Sequence, residues 1–115
     1  MYALNFYSPI VAEQLRTGTK TATIRLGDKE TKYRKGMIVQ VLVGARFGPR
    51  ERVFDAVIDK VEVKKLSELS PREIEHDNPE IRRTEDMASF LSQLYNRDVT
   101  PDDTVTVIRF SQIKG

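Results

Sequence analysis

The first part of the chain has the hydrophobic pattern of a strand, a helix and a second strand. Apolar and polar residues alternate over Tyr2–Tyr7, as they do along a half-buried strand. Pro9 suits the first position of a helix, and Gly18 suits the residue just after its end. A second, short strand is predicted over Thr21–Leu26. The chain therefore passes from helix to strand at a glycine-containing junction.

The middle of the chain alternates between polar loops and apolar strands. Gly27–Lys35 is polar and is predicted to be a loop. Met37–Val43 is so apolar that it is predicted to be a strand buried on both faces. In the strand that follows, the apolar phase changes between Ile58 and Val61. This change predicts a bulge or corner near Asp59–Lys60, an irregularity that small barrels need.

The last third of the chain predicts two helices and a closing strand. A capping-box pattern that begins at Ser70 starts a short helix, which must end by Asn78 because a proline follows. A longer amphipathic helix is predicted over Thr84–Tyr95, with Thr84 as its cap. Alternation over Thr104–Phe110 then predicts the closing strand.

Five or six short strands, with helices inserted early and late, predict an α+β fold. The short spacing of the strands favours a small, curled or closed β-barrel with flanking helices. The chain has 115 residues, of which 39% are hydrophobic. That length leaves room for one modest core, so residues 1–115 are expected to form a single domain.

The amino-acid composition excludes several kinds of functional site. The chain has no cysteine, which excludes disulfides, thiolate metal ligands and cysteine nucleophiles. His76 is the single histidine; it cannot form a metal site alone and is predicted to lie at the surface, so neither a metal nor a cofactor is expected. No run approaches the roughly 18 apolar residues of a membrane span, and the start lacks the features of a signal peptide. A cytoplasmic protein without a membrane partner is expected, with a monomer favoured.

Charge is nearly balanced overall but uneven along the chain. The 19 Lys and Arg residues against 17 Asp and Glu residues give a net charge of +2. Between Lys20 and Arg52, basic residues clearly outnumber acidic ones. Two interpretations of this segment remain open, a solvated and ion-paired surface or a patch that binds phosphate.

The candidate chemistry is concentrated in the segment T-G-T-K-T-A-T-I-R, Thr17–Arg25. It places a lysine, several hydroxyl groups and an arginine where the first helix gives way to a strand, and such junctions often build sites. From the residues alone, a plainer explanation is favoured. Threonine favours strands, and lysine and arginine are common at strand edges.

This segment resembles the signature of the ASCH domain family, a pattern of the form G-x-K-x-x-[E or T]-x-R after an N-terminal helix. The residues that carry the resemblance are Gly18, Lys20, Thr23 and Arg25, with the glycine-led strand from Gly36 and the closing strand Val105–Phe110. Met37 departs from the pattern, because an aspartate commonly follows that glycine. The resemblance implies a PUA-like β-barrel with flanking helices and a cleft that takes RNA or a nucleotide.

Thr23 matches a subgroup of that family, since many other members have glutamate at this position. The subgroup resembled has amidohydrolase activity and removes the acetyl group from N4-acetylcytidine. The resemblance implies catalytic roles for Lys20 and Thr23 and for an acid in the segment 74–78. The acid falls on Asp77, where the subgroup has glutamate, and Glu75 is the alternative. Substrate-binding or RNA-binding roles are expected for Gly18, Thr21, Arg25, Lys32, Tyr33, Arg34 and Arg46.

Two other functions remain open. In a non-catalytic RNA-binding module, Thr23 and Tyr33 would hold a base, and phosphates would be contacted by Lys20, Arg25, Lys32, Arg34 and Arg46. A ribonuclease that uses the same cleft is the third possibility.

The amidohydrolase chemistry sets three physical conditions. Lys20 can act as a base only if burial or a nearby positive charge lowers its pKa. Residues three apart in an ideal strand point to opposite faces, so Lys20 and Thr23 converge only if Lys20 belongs to the preceding turn. Asp77 is one methylene shorter than glutamate, and a misplacement of about 1 Å can cost about a hundredfold in rate.

Overall fold

The computed structural model describes residues 2–45 and 47–114. Its elements in chain order are β1 (Tyr2–Phe6), α1 (Pro9–Thr17), β2 (Ala22–Leu26), β3 (Ile38–Gly44), β4 (Arg50–Lys65), a 3-10 turn (Leu66–Glu68), α2 (Pro71–Asp77), α3 (Thr84–Tyr95) and β5 (Thr104–Gln112). The predicted α+β fold class is confirmed. No helix in the described ranges is long and apolar enough to cross a membrane.

The five strands form one sheet in the order β1-β3-β4-β5-β2. β1 runs parallel to β3, and the other neighbours are antiparallel. The sheet curls into a half-barrel, so that β1 and β2 form its two edges. The curled barrel-like sheet expected from the strand spacing is thus confirmed, in its open form.

The long strand β4 carries the irregularities that allow the sheet to curl. Its pairing with β5 shifts between Ile58 and Lys60, which leaves Asp59 as the extra residue. The bulge predicted near Asp59–Lys60 is confirmed. A second shift lies in the pairing of β3 with β4, at Val41/Leu42. Bulges bend a strand and increase its twist, so β4 can face β3 along its first half and β5 along its second.

Two hydrophobic cores lie on either side of this bend. The first packs α1 against β1, β3 and β4 around Leu4, Leu15 and Val41. The second packs α2 and α3 against β2 and β5 around Ile74 and Met87. The space between the two cores lies near the sheet edges β1 and β2, and the candidate site occupies it.

The strand β3 differs from its prediction. Val39, Val41 and Val43 are buried, whereas Ile38 is 51% exposed and Leu42 is half-buried. The prediction of burial on both faces was wrong because α1 covers only one face of this part of the sheet. The apolar residues on the other face lie at the surface, where isolated hydrophobic side chains are common.

The helix ends follow local signals closely. Gly18 ends α1 with a left-handed φ of 78°, as predicted. Ser70 and Glu73 form the predicted capping box, and α2 ends at Asp77. For α3 the prediction was one residue out, because Thr84 is already helical and Arg83 is the N-cap.

Candidate active site in the seam of the half-barrel

The gap between the two edge strands, which we call the seam, contains a cavity of about 470 Å³. Asn5 and Phe6 line it from β1, and Thr23 and Arg25 line it from β2. The Arg25 guanidinium crosses the seam and donates to the Asn5 carbonyl at 3.0 Å. The cavity is therefore a place where the barrel does not close and polar side chains replace strand pairing.

Lys20 enters this seam cavity from the turn after α1. Its backbone N–H donates to the Gln14 carbonyl at 3.1 Å, which holds the residue against the end of the helix. Since β2 begins only at Ala22, Lys20 is not subject to strand alternation. Lys20 and Thr23 both line the cavity, and they are 5% and 3% exposed. The condition for Lys20 and Thr23 to converge, that Lys20 belongs to the turn before β2, is therefore met.

Asp77 reaches the same cavity from the last turn of α2 and is 5% exposed. The Lys20 ammonium donates to the Asp77 backbone carbonyl at 2.7 Å and lies 3.4 Å from the carboxylate oxygen Oδ2. The same Oδ2 accepts the backbone N–H of Ile24 at 2.7 Å. Asp77 thus joins the helix, the free edge of β2 and the buried amine.

Arg25 holds the hydroxyl of Thr23. Its Nε donates to Thr23 Oγ1 at 2.9 Å, while its other end contacts the Asn5 carbonyl. The Phe6 ring lies 4.9 Å from the guanidinium and 5.3 Å from the Lys20 Nζ. Within residues 2–45 and 47–114, no direct hydrogen bond joins Lys20 to Thr23. The amine and the hydroxyl share one cavity and need a further partner to exchange a proton.

The environment lowers the pKa of Lys20 below its ordinary value. The main cause is burial, which penalises the charged amine, and the positive charge of Arg25 acts in the same direction. The carboxylate of Asp77 opposes the shift but does not cancel it. The pKa of Lys20 is thus shifted in the direction that a lysine base requires.

Two of the predicted binding residues lie beside the cavity in different ways. Lys32 is exposed at its mouth, with Nζ 5.4 Å from the Tyr33 ring. Tyr33 lines the cavity but is packed into the first core, and its hydroxyl donates to the Ala3 carbonyl at 3.1 Å. The ring of Tyr33 therefore mainly packs in the first core and offers little surface to a ligand.

The other predicted residues lie elsewhere. Gly18 and Thr21 line a second cavity of about 330 Å³ beside Phe110. Arg34 is exposed and is not among the residues that line the seam cavity. Glu75 pairs with Arg82 and also lies outside the cavity lining. Arg46 lies outside the described residues.

Sequence reasoning missed several residues of the cavity. Asn5 contributes a backbone carbonyl, which carries no signature in the sequence. Phe6 belongs to an alternating strand, and its contacts with the cations of Lys20 and Arg25 depend on the position of β2 relative to β1, which the local sequence does not indicate. Tyr95 accepts the Leu26 N–H at 3.2 Å, and Lys29 lies at the cavity mouth. The described residues contain no cluster of three or more His, Cys, Asp or Glu side chains suited to a metal ion.

Solved structures share this fold. A crystal structure from Enterococcus faecalis, assigned to the family DUF984, superposes with a TM-score of 0.73 at 18% identity over 98% of this chain and 80% of its own. The ASCH domain from Lactobacillus crispatus gives a TM-score of 0.66 at 13% identity, over 96% of this chain and 80% of its own. The crystal structure of the hypothetical protein PH0355 superposes with a TM-score of 0.66 at 18% identity. The match covers 96% of this chain and 100% of that protein's chain.

These likenesses define the class of fold to which the chain belongs. No protein-family model and no curated protein sequence matches the chain. The structural neighbours nevertheless superpose over almost its full length. The chain has an ASCH-like fold, as the resemblance of its sequence implied.

Proposed function

We propose that the seam cavity is the active site of an amidohydrolase that removes the acyl group from N4-acetylcytidine-type nucleosides. The observation that carries the proposal is the convergence of a buried amine, a hydroxyl and a carboxyl, from Lys20, Thr23 and Asp77, on one cavity. These are the residues that the sequence resemblance implies for this reaction. The cavity volume lies within the usual range for small-molecule sites, about 300–1,000 Å³.

The first step is attack of the Thr23 hydroxyl oxygen on the acyl carbon. The hydroxyl proton passes to the neutral amine of Lys20, through one water molecule or after a rotamer change, since the two groups are not in direct contact. The Arg25 Nε, which already donates to Thr23 Oγ1, favours the developing negative charge on that oxygen. A tetrahedral intermediate with a charged oxygen results.

In the second step the bond between the acyl carbon and N4 breaks. The Lys20 ammonium returns the proton through the Asp77 carboxylate, 3.4 Å away, and the carboxyl donates it to N4. Asp77 Oδ2 is occupied by the Ile24 N–H, whereas Oδ1 accepts no hydrogen bond from the described residues. Oδ1 is therefore the oxygen that takes the proton, relayed from the Lys20 ammonium by one water molecule, and donates it to N4. Water then cleaves the acyl ester on Thr23, which releases acetate and restores the hydroxyl.

The test is hydrolysis of N4-acetylcytidine, followed by chromatography of cytidine and acetate. Loss of a positioned base or nucleophile should lower kcat/KM by about 10²–10⁴-fold in Lys20→Ala and Thr23→Ala. Thr23→Ser should retain part of the activity, because it keeps the hydroxyl. Thr19→Ala is the matched control, since Thr19 is exposed in the same turn. Turnover that is absent in the wild type, or equal in all variants, would reject the proposal.

A non-catalytic RNA-binding module is the second candidate, because exposed lysines at the cavity mouth are groups that contact phosphates. RNA affinity would then fall steeply with salt, because phosphate contacts release counterions. Lys20 fits this function less well, because its amine is buried against Asp77. A ribonuclease would instead shorten an oligonucleotide during incubation.

A further inference from the structure

The loop Gly27–Lys35, which we call the basic loop, brings two exposed lysines to the mouth of the seam cavity. Lys29 and Lys32 both line the cavity there. The backbone of Lys29 accepts the N–H groups of Lys32 and Tyr33 at 3.0 and 3.1 Å. The two lysines therefore belong to one hydrogen-bonded turn, and both side chains line the same cavity.

The basic loop is anchored from below. Thr106, which is fully buried on β5, accepts the Lys29 N–H at 2.8 Å and donates to the Gly27 carbonyl at 2.7 Å. At the other end of the loop, the Gly36 N–H donates to the Ile58 carbonyl at 2.8 Å. Tyr33 adds a buried ring between these anchors. Because the turn is fixed before a ligand arrives, little entropy is lost in positioning its two amines.

The charges that line the seam cavity do not balance. Among the described lining residues, Asp77 alone is acidic, and it is already paired with Lys20. Arg25 is held by a hydroxyl and a carbonyl, both neutral. Within the described part of the chain, neither Lys29 nor Lys32 has a carboxylate within 4.0 Å. A cavity lined by one sign of charge concentrates field and favours a ligand of the opposite sign.

The neighbouring acids do not neutralise these lysines. Asp28 and Glu30 belong to the same loop but do not line the cavity. The Asp28 carboxylate instead accepts the Glu30 backbone N–H at 3.0 Å. The excess positive charge therefore remains on exposed side chains at the mouth of the cavity, whereas Lys20, Thr23 and Asp77 are buried.

We infer that the ligand of this cavity is a cytosine nucleotide, with its phosphate bound by Lys29 and Lys32. The inference rests on the proposed function and specifies its substrate class: the acylated base enters the seam, and the phosphate stays at the mouth. A mononucleotide fits the structure better than RNA, because the two lysines without a carboxylate partner line one cavity of about 470 Å³. A polynucleotide surface would need a stripe of cations along several phosphates.

The first experiment compares N4-acetylcytidine with its 5′-monophosphate as substrates. In the wild type, kcat/KM should be about tenfold higher for the monophosphate, since two charge-assisted contacts form at an exposed site. In the double variant Lys29→Ala/Lys32→Ala, the ratio of the two kcat/KM values should fall to about one. Lys35→Ala is the matched control, because Lys35 is exposed in the same loop but does not line the cavity, and it should keep the wild-type ratio.

A second experiment separates this inference from the proposed function. Calorimetry with cytidine and cytidine 5′-monophosphate measures binding without chemistry. Preference for the monophosphate that disappears in the double variant supports the phosphate site even if no hydrolysis occurs. Hydrolysis of both acetylated substrates at equal kcat/KM supports the amidohydrolase and overturns the phosphate site. Affinity that increases with oligonucleotide length would overturn the mononucleotide assignment in favour of RNA.

Discussion

At the scale of single residues, the amine of Lys20 connects the parts of the site. It lies in a low-dielectric environment beside one carboxylate and near one guanidinium. Burial favours its neutral form and so does the positive charge of Arg25, whereas the carboxylate of Asp77 favours the charged form. The protonation of Lys20 should therefore control the pH dependence of the reaction.

The first prediction concerns this pH dependence. Because a base must be deprotonated, kcat/KM for N4-acetylcytidine should rise with pH, with a midpoint below the ordinary lysine value of 10.5. Removing the positive charge in Arg25→Gln should move the midpoint upward. Removing the negative charge in Asp77→Asn should move it downward. A pH–rate profile of each variant checks the signs, and midpoints that do not move would exclude Lys20 as the titrating base.

The second prediction separates two roles of Asp77. Asp77→Asn keeps an acceptor for the Ile24 N–H but removes the proton donor, so activity should fall by about a hundredfold with a smaller loss of stability. Asp77→Ala should also destabilise the fold by about 3–5 kcal/mol, because it leaves a buried cation and a buried N–H without this partner. Urea denaturation and kcat measured side by side test the difference. Equal stability of the two variants would contradict it.

At the scale of elements, the free edge of β2 is covered by two helices. From α2, Asp77 accepts the Ile24 N–H and the His76 carbonyl accepts the Thr21 N–H. From α3, the Tyr95 hydroxyl accepts the Leu26 N–H. Backbone donors that would otherwise need a neighbouring strand are thus satisfied by helix ends and side chains.

The third prediction tests this covering of the edge. Tyr95→Phe removes the acceptor of the Leu26 N–H and should lower the free energy of unfolding by about 1–2 kcal/mol. Tyr2→Phe is the matched control, since Tyr2 is 60% exposed, and it should stay within about 0.5 kcal/mol of the wild type. Both values come from urea denaturation. An equal effect of the two changes would show that the hydroxyl of Tyr95 contributes nothing here.

Most features of the elements were predictable where the signal was local, although the N-cap of α3 was one residue out. The capping box at Ser70, the glycine cap at Gly18 and the bulge near Asp59–Lys60 all depend on a few adjacent residues. The exposure of Ile38 was not predictable, because it depends on which face of β3 a helix covers. Caps and bulges depend on residues adjacent in sequence and can be predicted from them. The burial of a strand residue depends on which elements pack against the sheet, and adjacent residues do not indicate this.

The same distinction holds for the candidate site. Lys20, Thr23 and Asp77 were found through the resemblance of a motif, and the fold brings them together. The contact of Arg25 with the Asn5 carbonyl has no counterpart in the sequence, because any residue could supply that oxygen. Lys29 stands between Asp28 and Glu30, so its local charge pattern did not mark it as a cavity residue.

At the scale of the whole molecule, the site lies between two hydrophobic cores. One core fixes β1 and α1, and the other fixes β2 with α2 and α3. Lys20 and Thr23 approach from the β2 side, whereas Phe6 belongs to the first core. A ligand in the seam therefore contacts both parts of the structure, and its binding should stabilise both at once.

The Arg25 guanidinium that reaches across the seam has a consequence for solubility. Exposed strand edges are templates on which other chains can add, and proteins commonly block them with charged groups. Arg25 occupies the Asn5 carbonyl on the outer edge of β1 while it orients the hydroxyl of Thr23. One side chain thus covers a carbonyl of the sheet edge and, under the proposed function, positions the hydroxyl of Thr23, so we expect Arg25→Gln to increase aggregation as well as to lower activity.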